Sequence, residues 1–140
     1  MILNLIKLAV GIGHVDQLKK RQEPFYNSDG YYEHTTRMFP KLADELVNGG
    51  SLYWVIKRLV VFRQPIVGIH KRNDQEGKGL CIIELEPNMI AVVPQARRPF
   101  QGWRYLKPKD TPRDLSTHEG FVDPEMPDDM RTELSRIFLI

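Results

Sequence analysis

The middle of the chain constrains the fold most strongly, because two runs of β-branched and aromatic residues follow each other almost without a break. Residues 52–57 read LYWVIK, and residues 59–69 read LVVFRQPIVGI. Val, Ile, Tyr, Trp and Phe fit the pleated, half-buried surface of a sheet, so runs of this kind are typical of strands. We therefore predict that these two segments are strands that pair with each other.

Further strands are predicted on both sides of this pair. Residues 2–10, ILNLIKLAV, carry apolar side chains on both alternating faces, which is typical of a strand inside a sheet. The runs LCIIELE and MIAVVP follow the polar loop at 73–79. Residues 25–35, around Ser28, Asp29 and Gly30, and the proline-rich residues 95–125 are predicted to be irregular.

Helical patterns are fewer. Residues 14–22 form a weak helical pattern that ends before Pro24, and residues 40–48 form a clearer one with Pro40 at its start and Gly49 after its end. A last helix is predicted from Pro127, with an apolar stripe made by Met130, Leu134, Ile137 and Phe138.

These elements do not alternate as strand, helix, strand. We therefore predict one α+β domain over residues 1–140, with a largely antiparallel sheet and two to three helices. Whether the sheet also curls into a partly barrel-like form stays open at this point.

Composition excludes several classes of protein. The chain has 140 residues, of which 27% are charged and 41% hydrophobic, as expected for a soluble domain with its own core. Its apolar runs reach roughly seven to nine residues, against the ~20 that a membrane-spanning helix needs. The N-terminal stretch lacks the basic start and the cleavage site of a signal peptide, so we expect a cytoplasmic protein that does not enter a membrane.

No pattern for a metal or a cofactor stands out. The four histidines are scattered, and Cys81 lies in an apolar run, where a buried, unreactive thiol is expected. Neither a Walker loop nor a nucleophile elbow is found, and GIGH at 11–14 is only a fragment of a dinucleotide-binding motif. We predict no metal site and no cofactor.

The distribution of charge is uneven. The net charge is +2, but residues 1–109 carry 17 Lys and Arg against 10 Asp and Glu, while residues 110–140 carry 3 against 8. Residues 46–73 and 87–109 contain no acidic residue at all. If both windows share a face, its potential favours phosphate or another anion. The alternative, a basic body neutralised by its own acidic tail, fits the counts equally well.

The segment RRPFQGWRYLKP, residues 97–108, threads cations between aromatic residues. Such a segment suits stacking on nucleobases and clamping of phosphates, but it also suits the anchoring of an irregular chain to a core. Because Pro99 and Gly102 impose an irregular backbone, we predict that Phe100 and Trp103 are buried anchors. The cations Arg98, Arg104 and Lys107 are then expected to turn outward.

Arg63 is the other unusual cation, since an arginine in an apolar strand is costly to bury unless it is paired or meets an anion. Lys57 lies on the same face of its predicted strand as Tyr53 and offers a polar end to a pocket. The candidate ligand-binding residues are Tyr53, Lys57, Arg63, Gln64, Arg97, Arg98, Gln101, Arg104, Tyr105 and Lys107.

Four segments carry a resemblance to a known family: LNLIKLAVG, RMFPKLADELVNGG, GGSLYWVIKRLVVFRQPI and RRPFQGWRYLKPKDTPRDL. With them the chain resembles an uncharacterised family of short alphaproteobacterial proteins, defined by a domain of unknown function. The resemblance covers nearly the whole chain and implies no activity, catalytic residue or ligand. The helix that ends in Gly-Gly, followed by paired strands with aromatic and basic residues, is also similar to small RNA-binding barrels of the pseudouridine-synthase-associated type.

Three functions are compatible with these observations. The sequence favours a non-catalytic binding module for RNA, a nucleotide or another anionic ligand. The second is a small enzyme acting on a phosphorylated or nucleotide-like substrate, with His34 or Glu33 as base and Arg63 or Arg104 holding the anion. The third is a structural or oligomeric protein in which FQGWRYL fills an interface. The oligomeric state stays open.

Overall fold

The computed structural model describes residues 2–115, in which seven strands and two helices form an α+β fold. The strands are β1 (Asn4–Leu8), β2 (Tyr32–Thr36), β3 (Ser51–Ile56), β4 (Leu59–Asn73), β5 (Gly79–Leu85), β6 (Ile90–Ala96) and β7 (Trp103–Leu106). The helices are α1 (Val15–Gln22) and α2 (Ala43–Leu46), with single 3₁₀ turns at Glu23–Phe25 and Pro108–Asp110. The predicted α+β class is confirmed. The helix predicted from Pro127 lies outside the described residues.

All seven strands belong to one mixed sheet. Six of them follow the order β2-β5-β4-β3-β1-β7, and β6 pairs with β4. β1 runs parallel to β3, with Leu5 opposite Leu52, and antiparallel to β7, with Leu5 opposite Tyr105. The remaining pairs, β2 with β5 and β4 with β3, β5 and β6, are antiparallel. The sheet is not closed, since β2 and β7 stand at opposite ends of this order.

The long strand β4 joins the two halves of the sheet. Its first part pairs with β3 and β6, and the part from Ile66 to Asn73 pairs with β5. The register shifts between Ile66 and Gly68, and an irregularity of this kind bends a strand. The rings of His34 on β2 and Trp54 on β3 lie 5.1 Å apart, although β5 and β4 separate their strands in the sheet order. The sheet therefore curls, and Trp54 lies on its concave face.

The core occupies both faces of the sheet. The larger apolar cluster lies on the concave face and includes Leu5, Leu52 and Trp54 together with Leu18 of α1. A smaller cluster on the opposite face is formed by Ile6, Tyr53, Val55, Val60, Val92 and Leu106. Since neighbouring residues of β1 and β3 are buried on opposite faces, both strands lie inside the sheet, as the apolar pattern of residues 2–10 predicts. Cys81 is buried, also as predicted.

Two predictions of irregular structure are wrong in part. Residues 25–35 were expected to be irregular, but Tyr32–Thr36 forms β2; residues 95–125 were expected to be irregular, but Trp103–Leu106 forms β7. Both strands stand at the ends of the sheet order and carry polar residues on one face, so they lack the apolar run that marks an inner strand. The helix predicted at 40–48 is confined to Ala43–Leu46.

Candidate functional site

The best-enclosed cavity described has a volume of about 320 Å³ and lies between β1, α1 and β2. Its walls are mostly apolar and come from Leu8, Ala9, Val10, Leu18, Phe25, Tyr32 and Trp54. Its polar lining comes from Lys7, Arg21, Gln22, Glu33, His34 and Thr35. The curl of the sheet forms this cavity, because it brings β2 over the concave face of β1 and β3.

Lys7 is the unusual residue of this cavity. It is half-buried on β1, and its backbone partners are Trp54 on one side and Trp103 on the other. Burial lowers the pKa of the Lys7 ammonium, because the charged form loses water; the neighbouring Cys81 acts in the opposite direction. Among residues 2–115, Lys7 has neither an ion pair nor a hydrogen bond from its side chain. The cavity thus contains a cation without a partner in the described part of the chain.

His34 faces the same space from β2. Burial, and secondly the positive charge of Lys7, lower the pKa of His34 to about 3, so the imidazole is neutral at neutral pH. Its Nε2 atom is shielded from solvent and has no hydrogen-bond partner among the described residues. The ring packs edge-on against Trp54 at an interplanar angle of 84°. His34 therefore gives the cavity a polar but uncharged wall.

A buried hydrogen-bond network fixes the floor of the cavity. The Oε1 atom of Gln64 accepts hydrogen bonds from Trp54 Nε1 and from Gln22 Nε2, both at 2.7 Å. Its Nε2 atom donates to Gln22 Oε1 and to the carbonyl of Glu86, both at 3.1 Å. Gln64, a candidate ligand-binding residue, is 0% exposed, so its amide holds Trp54 and α1 in place instead of facing a cleft.

The mouth of the cavity lies between the end of β1 and the residues that follow α1. The Arg21 guanidinium donates to the carbonyl of Val10 and so ties α1 to the end of β1. Val10 and Phe25 remain exposed at 67% and 55%, which leaves apolar surface at the rim.

His34 and Glu33 do not form the base and orienting carboxylate of the enzyme hypothesis. Successive residues of a strand point to opposite faces, and the Glu33 carboxylate accepts a hydrogen bond from Arg72 at 3.0 Å. The Arg72 guanidinium holds the pKa of Glu33 below its usual value. No carboxylate of residues 2–115 is hydrogen-bonded to His34.

Arg63 forms an ion pair, but its anionic partner is a side chain of the same protein and not a ligand. Its Nε and Nη2 atoms donate to the two carboxylate oxygens of Asp114, both at 2.7 Å, and its Nη1 atom donates to Ser51 Oγ at 2.9 Å. This bidentate pair lowers the pKa of Asp114. Tyr53, directly opposite Arg63 in the β3–β4 pair, lines the same open cleft, and burial raises the pKa of its hydroxyl.

The segment 97–108 is divided between the two faces of the sheet. Trp103 and Tyr105 lie on the concave face with their rings 5.0 Å apart; the Trp103 Nε1 donates to the carbonyl of Met38, and the Tyr105 hydroxyl accepts from the amide of Leu42. Phe100 packs against the smaller cluster on the other face, and the Arg104 guanidinium lies 4.7 Å above its ring.

The predicted orientation of this segment is observed for the cations. Arg98, Arg104 and Lys107 are exposed, and so is Gln101. Phe100 and Trp103, which were predicted to be buried anchors, are half-buried. Arg97 is half-buried and bonded to Gln95 and to the carbonyl of Asp110.

The candidate residues therefore do not line one basic, aromatic face. Arg63 lies in the cleft with Asp114, Tyr105 is on the concave face, and Lys57 lies at the β3–β4 turn. That Lys7 and His34 line the same cavity was not predicted from the sequence. The available signal was the lysine inside ILNLIKLAV, an apolar strand in which a cation needs a reason.

Comparison with known proteins gives one match. A family model described as a protein of unknown function (DUF1489) matches residues 5–140. The chain matches no curated protein and no solved structure. Within residues 2–115, no helix has the length and apolar character to cross a membrane, and no three His, Cys, Asp or Glu side chains are grouped so as to hold a metal ion.

Proposed function

The chain belongs to the DUF1489 family of proteins of unknown function, and on the geometry of its cavity we propose that it binds a small ligand with an apolar body and one anionic group. The observation that carries this proposal is Lys7, a half-buried cation in a mostly apolar cavity that forms no ion pair among residues 2–115. A carboxylate or a phosphate on the ligand would supply a counter-charge.

The physical argument rests on desolvation. A half-buried ammonium has lost part of its hydration, so an anion that reaches it forms a stronger ion pair than one at the surface. The apolar walls contributed by Leu18, Phe25 and Trp54 match the body of such a ligand. A volume of about 320 Å³ lies at the small end of the range of ligand pockets. The favoured ligand is therefore a small organic acid or phosphate ester and not a long chain.

The test uses tryptophan fluorescence. The protein has two tryptophans, and both are the backbone neighbours of Lys7, so an aromatic anion in the cavity should change their emission. Benzoate and phenyl phosphate serve as anionic probes, and benzyl alcohol serves as the uncharged probe. We expect the anions to bind more tightly than the alcohol. The Lys7→Met substitution should weaken binding of the two anions by about tenfold or more, as the loss of a charge-assisted contact does. It should leave the affinity for the alcohol unchanged.

Lys20→Met is the matched control, because Lys20 is exposed on α1 and does not line the cavity. It removes the same charge and should bind the probes like the parent protein. Equal binding of all three probes to the parent, or equal loss in both variants, would contradict the proposal.

A further inference from the structure

A second cationic site lies at the turn between β3 and β4, outside the cavity. The turn consists of Lys57 and Arg58, and both have positive φ angles, 49° and 68°. Two-residue hairpin turns of this shape favour Asn and Gly, because a side chain larger than these crowds the backbone. Two long cations therefore occupy positions that backbone geometry alone would give to other residues, and strained positions of this kind cluster at functional sites.

The end of β6 brings two more cations to this turn. The backbone amide of Arg97 donates to the carbonyl of Arg58 at 2.8 Å, so Arg97 and Arg98 follow directly beside the turn. We call the group Lys57, Arg58, Arg97 and Arg98 the basic cap. Lys57, Arg58 and Arg98 are exposed, and within residues 2–115 none of the three forms an ion pair. Their charge is thus available to a ligand.

The basic cap borders an open cleft of about 390 Å³ between the turn, Pro99 and the glycine-containing loop after β1. Lys57 lies across Gly13, and a Cβ atom on Gly13 would stand 3.0 Å from the Lys57 Cε atom. A larger residue at position 13 would therefore displace Lys57.

An aromatic-supported guanidinium lies at the margin of the basic cap. Phe100 follows Pro99 in the chain and, like Leu8 of the cleft, packs against the smaller apolar cluster. The Arg104 guanidinium lies 4.7 Å above the Phe100 ring, and Arg104 is exposed. A guanidinium held from below by a ring offers its plane for stacking, as nucleobases require.

We propose that the basic cap, with Arg104 at its margin, binds single-stranded RNA through successive phosphates of its backbone. The cleft is open, and the cations of the basic cap come from two separate segments, of which the turn lines the cleft and the end of β6 lies beside it. This arrangement suits a chain of anions held by several contacts better than one small enclosed anion. Arg104 adds a stacking surface for an unpaired base. The cleft and the cavity share Leu8, Ala9 and Val10 in their linings, but the cations of the basic cap do not line the cavity and Lys7 does not line the cleft. The two proposals therefore depend on different cations.

The test uses a fluorescently labelled oligouridylate of about 12 nucleotides, a length within the range of single-strand sites, with binding measured by anisotropy at several salt concentrations. The double substitution Lys57→Asn with Arg58→Gly removes both charges and installs the pair that such turns prefer, so the fold is kept. We expect binding to weaken by about tenfold at low salt. The slope of log K against log salt should become shallower by about 1.4, corresponding to two lost phosphate contacts on a single strand.

The control is Lys19→Gln with Lys20→Gln, which removes two exposed charges from α1. It should leave affinity within about twofold of the parent, since distant surface charges act only through the screened general field. Lys7→Met should also leave RNA binding unchanged. Equal losses in the turn and α1 variants would overturn the proposal. Failure of the parent protein to bind the oligouridylate at low salt would also overturn it. This holds even if the protein binds phosphatidylserine vesicles instead.

Discussion

His34 shows how strongly one residue depends on the curl of the sheet. In the folded protein its pKa is lowered to about 3 from 6.5, mainly by burial. Between these values the unfolded chain takes up a proton and the native imidazole does not, so stability is lost as pH falls from 6.5 toward 3. One such group contributes a slope of about 1.4 kcal/mol per pH unit.

We therefore expect the free energy of unfolding, measured in urea between about pH 6 and pH 4, to fall less steeply in His34→Gln than in the parent protein. The difference in slope should approach about 1.4 kcal/mol per pH unit. Carboxylates contribute equally to both proteins and cancel in the comparison. Parallel pH profiles would show that His34 is not held neutral.

Gly50 is a residue at which the backbone leaves no room for a side chain. A Cβ atom there would overlap the carbonyl oxygens of Leu3 and Leu46, and these are backbone atoms that cannot move aside cheaply. Gly50→Ala should destabilise the protein by about 2–3 kcal/mol, as overpacking does. Gly79→Ala, where nothing lies within 4 Å of the new Cβ atom, should stay within about 0.5 kcal/mol in the same denaturation experiment. Similar losses in both variants would refute the close approach at Gly50.

For single residues, the sequence shows that a buried cation requires a counter-ion, but it does not show which residue supplies it. An arginine inside VVFRQPIVG requires an anion, and this could be foreseen. That the anion is Asp114, 51 residues away, depends on the path of the chain after β7. Lys7 can be recognised in the same way, as a cation inside an apolar strand. Its position near His34 could not be predicted, because it depends on β2 crossing the concave face.

Among the elements, β7 resolves the two roles of the segment 97–108. Trp103 is half-buried against the core and hydrogen-bonded to Met38, whereas Arg104, its neighbour, is exposed. Trp103→Ala should cost about 2–3 kcal/mol, less than for a fully buried aromatic residue. Arg104→Ala should change the free energy of unfolding by no more than about 0.5 kcal/mol. It should instead weaken RNA binding. Thermal unfolding of both variants tests whether Trp103 is the anchor. If Arg104→Ala lowered the melting temperature more than Trp103→Ala, the two roles would be reversed.

Inner and outer elements differ in how well the sequence predicts them. β3 was predicted to within one residue at each end, and β4 was predicted from Leu59 to Ile69, four residues short of its end at Asn73, because only that part is rich in apolar residues. Along β2, Glu33 and Thr35 alternate with Tyr32 and His34, so the strand has no continuous apolar run to distinguish it from a loop. The backbone of the Lys57-Arg58 turn could not be predicted either, because turns with two positive φ angles usually contain Asn and Gly and not two long cations.

For the whole molecule, the counts of strands and helices were enough to predict the α+β class. They were not enough to predict the curl, which accompanies register shifts at two points of β4, between Val60 and Phe62 and between Ile66 and Gly68. The cavity follows from the curl. Local irregularities in one strand thus help to determine which side chains meet.

The position of β1 between β3 and β7 has a consequence for synthesis on the ribosome. Asn4 pairs with Leu106, so β1 cannot complete its pairing until about a hundred further residues have been added. At roughly 5–20 residues per second this takes about 5–20 s. During that interval a strand with apolar residues on both faces has an unpaired edge, and long-range pairing of this kind also makes refolding slow. We therefore expect aggregation of the nascent chain to depend on translation speed as well as on the stability of the folded protein.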